Sequence, residues 1–424
     1  MTMWNEFGFR TNLYDTQPIH GNDEGEVLLV GRKKELRIIK NRISNFNSVV
    51  TVEGPNGVGK TSLILVAAHQ LEKDTQKKGK SSLVLLPKPL QFTREDSAFE
   101  FKRKVYAKIA SYFIDNEKQL AKRLDLQFAL RPLRDWLENP LFTELGGQVM
   151  GYGASMGKSP NTSTSFDFHG FFDIVERLLK AAFTDQGGII CVLDNLEILN
   201  TSKKAQEHLE ALRDDLFSIH GVRWVVCGAR GIVKSVASTS RLQGRLSDPL
   251  EVKPLPKSEI PKLIQARVDT FKKNGTATPP VGADSFVHIF SVLNENLRDS
   301  LKFAGDFSAW IFEEDKYVPV SNELHELFEI WLAEKADEYA EQVQIPPRAW
   351  TLFDDITARG GVVSPSSFED FNFNTSQNMR GQVAKLEEAG LVSSEISDHD
   401  KRRKNIRVLP KGWIVNYKRC GYAI

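Results

Sequence analysis

The sequence predicts an α/β fold: a parallel sheet with helices on its faces, then a helical segment, then a smaller α+β domain. Three observations carry this. A Gly-rich turn, Gly54-Pro55-Asn56-Gly57-Val58-Gly59, joins the β-branched run 48–52 to a helix-forming run over 60–68. Two further apolar runs, 189–194 and 222–230, each follow a helical stretch and end in polar residues, the pattern of strands buried on both faces. The segment 348–409 reads as helix, short helix, capped helix, strand, strand.

With 424 residues the chain is too long for one typical core, and two or three domains are expected. A formal net charge of +1 gives no whole-chain argument for nucleic acid, so any such argument is local. Residues 1–10 carry Glu6 and lack an apolar core, which argues against a secretory signal, and no apolar run reaches the length of a bilayer span. Membrane partners are therefore not expected. The three cysteines, Cys191, Cys227 and Cys420, make no disulfide framework and read as the small residues of a reducing, cytoplasmic protein. Eight scattered histidines show no zinc-ligand spacing.

Taken in order, residues 1–28 form an irregular lead-in with aromatic anchors Trp4, Phe7, Phe9 and Tyr14. A helix follows, with Leu36, Ile39 and Ile43 at helical spacing. The turn at 54–61 then has the spacing of a phosphate-binding loop, with Lys60 and Thr61 directly after Gly59. Glycines let successive N–H groups approach a phosphate, and the helix N-terminus adds the positive end of its dipole. Gly54, Asn56, Gly57, Val58, Gly59, Lys60, Thr61 and Ser62 are the expected nucleotide-binding set, Lys60 reaching the β- and γ-phosphates and Thr61 the Mg²⁺. The alternative is an ordinary Gly-rich turn.

Residues 82–86 read as a buried strand ended by Pro87 and Pro89, and 95–137 as a charged helical layer with Phe99, Val105, Ile109 and Phe113 on one face. The stretch 146–165 is rich in Gly, Ser, Thr and Asn; it is either a partner-touching loop or an inserted segment. An amphipathic helix over 168–183 is broken by Gly187-Gly188. The strand after it delivers Asp194 at its carboxyl end, the Walker B pattern, which would set the acid beside Thr61 to orient Mg²⁺. The alternative is an Asp that caps the next helix. Beyond it stand Asn195 and, two residues on, Glu197. An amide can position water but cannot take its proton, so hydrolysis is expected to be slow unless Glu197 reaches the site. A helix over 202–220 and the strand ending at Arg230 complete this part. Pro256 onward is helical, with Ser258 as the expected cap, and a long helix over 321–343 ends before Pro346-Pro347. These breaks divide the chain into a lead-in (1–28), a nucleotide core (29–255), a helical lid (256–343) and a last domain (346–424).

Leu29-Val30-Gly31-Arg32, with Glu35-Leu36 after it, resembles the segment that precedes the phosphate loop in AAA+ and STAND ATPases. The resemblance implies a P-loop NTPase sheet with a helical lid. It also implies that Arg32 packs beside the base, Arg230 senses the γ-phosphate, Arg298 contacts the phosphates from the lid, and Arg245 or Arg241 reaches a neighbour's nucleotide in a homo-oligomer. A glutamate normally follows the Walker B aspartate in that family; here it is Asn195. The end of the chain, with a third helix capped by Thr375 or Ser376 and then Gly390-Leu391-Val392, resembles a winged helix-turn-helix of the MarR type. Gln377 and Arg380 would face a major groove, and Lys401, Arg402, Arg403 and Lys404 would form a basic wing tip. From 401 onward there are Lys and Arg but no Asp or Glu. As a whole the chain resembles the origin-recognition type of initiator, which implies an ATP- and Mg²⁺-dependent, slowly hydrolysing switch on duplex DNA. The alternative is a STAND-type signalling or phage-defence ATPase whose winged helix is a regulatory module, with a protein partner supplying the effector.

Overall fold

The computed structural model describes residues 2–45, 48–93, 95–137, 168–196, 202–229, 232–237, 239–273, 277–396 and 404–423. The expected Gly/Ser-rich stretch at 146–165 lies outside them, as do Glu197, Arg230, Lys401, Arg402 and Arg403. The lead-in holds two short helices, α1 (Met3–Glu6) and α2 (Asp23–Leu28), and α3 (Lys33–Ser44) follows. The core alternates β1 (Val50–Glu53), α4 (Lys60–Thr75), β2 (Leu83–Leu85), β3 (Leu90–Gln91), α5 (Ala98–Asp115), α6 (Glu117–Leu124), α7 (Arg131–Leu137), α8 (Phe168–Ala182), β4 (Gly188–Asp194), α9 (Ser202–Leu212), β5 (Val222–Gly228), α10 (Ile232–Ala237) and β6 (Leu250–Glu251).

All pairs in this sheet are parallel, in the order β2-β4-β5-β1-β6, with β3 also on β4. β5 lies between the strand that leads into the phosphate loop and the strand that ends in Asp194. Helices α3 and α4 cover one face over Val50, Val52, Ile190 and Val192, while α5 to α9 cover the other over Ile189, Cys191 and Val226. Both faces are thus apolar, which is why β4 and β5 read as continuous hydrophobic runs. Cys191 and Cys227 are buried in these strands, and burial pushes the Cys191 thiol up.

The prolines after β2 interrupt the strand and do not end it. Leu83 faces Gly188 and Leu90 faces Leu193, so eight residues of one edge span six of β4. The two extra residues fall in the segment holding Pro87 and Pro89, which cannot donate to a ladder. β3 resumes beyond them.

The lid consists of α11 (Ile260–Phe271), α12 (Ala283–Val292), α13 (Leu297–Glu313) and α14 (Ser321–Glu341). Ser258 sits in a 3-10 turn at Lys257–Glu259 and makes no cap bond to α11. The lid core takes in Phe7, Phe9, Leu13 and Tyr14 of the lead-in, with Trp4 packed against it. The Tyr14 hydroxyl donates to the Val281 carbonyl at 2.6 Å.

The final part contains α15 (Pro347–Ala358), β7 (Val362–Val363), a 3-10 turn at Pro365–Phe371, α16 (Ser376–Glu388), β8 (Val392–Ile396), β9 (Lys404–Val408) and α17 (Pro410–Arg419). Thr375 caps α16, its hydroxyl accepting from the Asn378 N–H at 3.2 Å. The strands form an antiparallel sheet in the order β7-β9-β8, over a core of Leu352, Ile356, Met379, Val383 and Ile406. α17 then returns to the lid and places Ile414 and Tyr417 in the lid core. An ion pair from Lys418 to Asp337 of α14 (2.8 Å) holds it there, while Arg419 pairs with Asp354 of α15 (2.5 Å), its guanidinium 4.2 Å over the Trp350 ring. The basic tail is therefore partly neutralised. Among the described residues no helix is long and apolar enough to cross a membrane.

Candidate nucleotide site

β1 ends at the loop, and the loop's geometry is set by its glycines. Gly57 and Gly59 have φ of +84° and +90°, a region that costs other residues roughly 1–2 kcal/mol. A Cβ on Gly57 would also run into the Asn296 side chain at the start of lid helix α13. Lys60 is folded into the loop, its ammonium donating to the carbonyls of Gly54 (2.9 Å) and Pro55 (3.0 Å). Thr61 Oγ1 donates to Asp194 Oδ2 at 2.7 Å, and Asp194 Oδ1 accepts the Asn195 N–H at 2.9 Å. Asn195 takes a left-handed conformation, φ +64°, which Asn tolerates better than most residues.

These groups line one cavity of about 280 Å³ between core and lid. Asn56, Gly57, Val58, Gly59, Lys60, Thr61 and Ser62 face it from the loop, and Asp194 and Asn195 from the end of β4. Leu297, Arg298 and Leu301 close it from α13, Leu263 and Arg267 from α11, and Thr16, Gln17, Pro18 and Ile19 from the lead-in. A hydroxyl and a carboxylate in direct contact are hard oxygen donors, a set that fits Mg²⁺. The apolar lining from Ile19, Val30, Leu255 and Leu263 fits the flat face of a base.

Arg32 lines the cavity but is committed to the loop: it donates to the Val58 carbonyl at 3.1 Å and pairs with Glu35 at 3.2 Å. Burial holds its guanidinium below the usual range. Ser62 Oγ accepts the Ile19 N–H at 3.0 Å, which ties the lead-in to α4. Neither finger candidate enters this cavity. Arg245 donates to Ser218 Oγ at 2.9 Å, and its carbonyl receives the Val49 N–H, at the amino ends of the strands. Arg241 lies 3.7 Å from Glu210. On α16, Gln377 and Arg380 are exposed, and Lys404 opens β9 opposite Ile396.

Among the cavity residues that sequence reasoning missed, besides the lead-in residues 16–19, are Gln91 and Arg267. Gln91 stands opposite Asp194 in the sheet. Arg267, 6 % exposed, donates to the Leu13 carbonyl at 2.8 Å and to that of Asp15 at 3.3 Å, and burial holds its guanidinium down to about 10. A basic residue inside the apolar stripe of α11 was the available signal for it.

Residues 36–240, a little under half of the chain, match the model of the KAP family P-loop domain. No curated protein matches the chain. Solved structures similar to it include ORC2 from Aeropyrum pernix in its ADPNP-ADP complexes, at 10% identity over 98% of this chain and 100% of that one, with a TM-score of 0.47. A. pernix ORC1 in complex with DNA has 14% identity over 98% and 99%, with a TM-score of 0.46. Drosophila ORC bound to DNA has 14% identity over 93% and 90%, with a TM-score of 0.40. With its loop, its parallel sheet and Asp194 at the end of β4, the matched segment has the P-loop NTPase fold and is similar to the KAP family P-loop domain.

Proposed function

We propose that the chain is a switch that binds ATP with Mg²⁺, hydrolyses it slowly, and uses its C-terminal domain to bind duplex DNA. The observation that carries this is the cavity's double lining, phosphate loop on one side and lid helices on the other, together with the seating of α17 in the lid core. Any change in lid angle would then move the C-terminal domain with it.

In this reading Lys60 leaves the carbonyls of Gly54 and Pro55 for phosphate oxygens, while Thr61 and Asp194 hold the cation. The chemistry that Mg²⁺ would supply at these two oxygens is positive charge against the charge that develops on the phosphates. Arg298 approaches from α13 and couples phosphate occupancy to lid position. Arg230 serves as γ-phosphate sensor and Glu197 as the nearest carboxylate. Arg245, at the far edge of the sheet from its own cavity, is the finger offered to a neighbouring copy; Arg241 is its rival. Gln377 and Arg380 contact base edges, and Lys401, Arg402, Arg403 and Lys404 neutralise backbone phosphates.

The test is binding to labelled duplex DNA with ATP, ADP or no nucleotide across a salt series, repeated on Arg402→Glu with Arg403→Glu. ATP-dependent binding that weakens with salt at about −0.9 per phosphate contact, and is lost in the variant, supports the switch. Binding that is absent, or indifferent to the wing, points to a regulatory module with a protein partner.

A further inference from the structure

The geometry points to Gln91 as the residue that positions the attacking water, a role that rests on the nucleotide-switch reading. β3 is two residues long, yet its register is fixed. Leu90 pairs with Leu193 and Gln91 with Asp194 in a parallel ladder, and registered neighbours in a sheet project their side chains to the same side. Gln91 and Asp194 accordingly line the same cavity, together with Thr61, Lys60 and Asn195. Leu90 is buried, and Phe92 is buried and stacks on Phe101 at 3.9 Å, so the backbone on each side of Gln91 is anchored. The side chain itself is exposed and lines the cavity.

The chemistry asks for such a group. The position after Asp194 holds an amide, and its backbone N–H is spent on the Asp194 carboxylate. Asn195 and Gln91 flank that carboxylate from two strands' ends, and a carboxamide can accept one hydrogen bond from water and donate another to a phosphoryl oxygen. In the step it would assist, the water oxygen bonds to the γ-phosphorus as the bond from γ-phosphorus to the bridging oxygen breaks. The electron pair departs with ADP, and the water's proton passes to a γ-phosphoryl oxygen, because neither amide can take it. Turnover is slow for that reason, and alignment of the water is what Gln91 contributes.

Three proteins are compared: the full chain, Gln91→Ala and Gln91→Glu. Each is measured for affinity to ADP and to a non-hydrolysable ATP analogue, affinity to ADP with aluminium fluoride, and single-turnover hydrolysis. Gln91→Ala is expected to keep ADP and analogue affinity within about twofold while losing at least about tenfold in hydrolysis and in the aluminium fluoride complex. Gln91→Glu, which supplies a proton acceptor of the same reach, is expected to hydrolyse faster than the unaltered chain. Unchanged hydrolysis and aluminium fluoride affinity in Gln91→Ala, with nucleotide binding intact, would overturn the role and leave the switch standing. If the unaltered chain binds no nucleotide, the switch reading falls, and the role of Gln91 with it.

Discussion

The cavity between core and lid and the outer face of α16 are both polar, but they are built in opposite ways. In the cavity the charged and hydroxyl groups nearest the loop are already committed: Lys60 to two carbonyls, Thr61 to Asp194, Arg32 to Val58, Arg267 to the lead-in. On α16 the side chains of Gln377 and Arg380 stand exposed to solvent. A preorganised site concentrates its energy in few groups, each of which is costly to lose; a solvated face spreads it over many. Single substitutions should therefore differ sharply between the two regions.

The largest effect is expected from Lys60→Ala, which should weaken nucleotide binding by at least about tenfold to a hundredfold, read by calorimetric titration with an ATP analogue. Retained affinity would remove the loop from the site. Next comes Gly57→Ala. Its φ of +84° and the Asn296 side chain in its way should push α13 back, weakening nucleotide binding while the far sheet stays folded, as hydrogen exchange would show. Arg267→Met leaves the carbonyls of Leu13 and Asp15 without their donor, and urea unfolding should report a loss of roughly 2 kcal/mol, with residues 1–20 opened to protease. A loss confined to nucleotide affinity would mean that the lead-in is held by its aromatic residues alone. Smaller still, Gln377→Ala should cost DNA affinity roughly 1 kcal/mol, seen in a titration of duplex DNA. An effect there as large as that of Lys60→Ala would erase the contrast between the regions. The smallest is Arg419→Ala, whose pair with Asp354 is partly exposed; a thermal melt should show a loss of about 1 kcal/mol or less.

The same contrast explains what could be read from the sequence. The phosphate loop and Asp194 were legible because their chemistry is carried by backbone conformation and by position at a strand's end, both local properties. Arg298 was expected from the resemblance to AAA+ and STAND ATPases, and α13 places it in the cavity lining. Gln91 was not, because Pro87 and Pro89 read as the end of a strand, and only pairing with β4 shows that it resumes. Arg267 was hidden for another reason: the carbonyl it serves lies 254 residues away, and no periodicity within α11 encodes that. The lead-in, with Tyr14 buried against Val281 and Ile19 tied to Ser62, is part of the site through contacts of the same long-range kind. In the last part of the chain, charge alone suggested a wholly basic tail, whereas Lys418 and Arg419 are matched by Asp337 and Asp354 from preceding helices.

α17 has a further consequence during synthesis. The ribosome makes the phosphate loop early and the lid helices later, yet two of the lid's core side chains, Ile414 and Tyr417, come after the three-stranded sheet. A nascent chain stalled before residue 414 carries a complete loop beneath an unfinished lid. Two side chains of the lid core are therefore added only once translation has passed Tyr417, after every residue of the loop and the parallel sheet has been made.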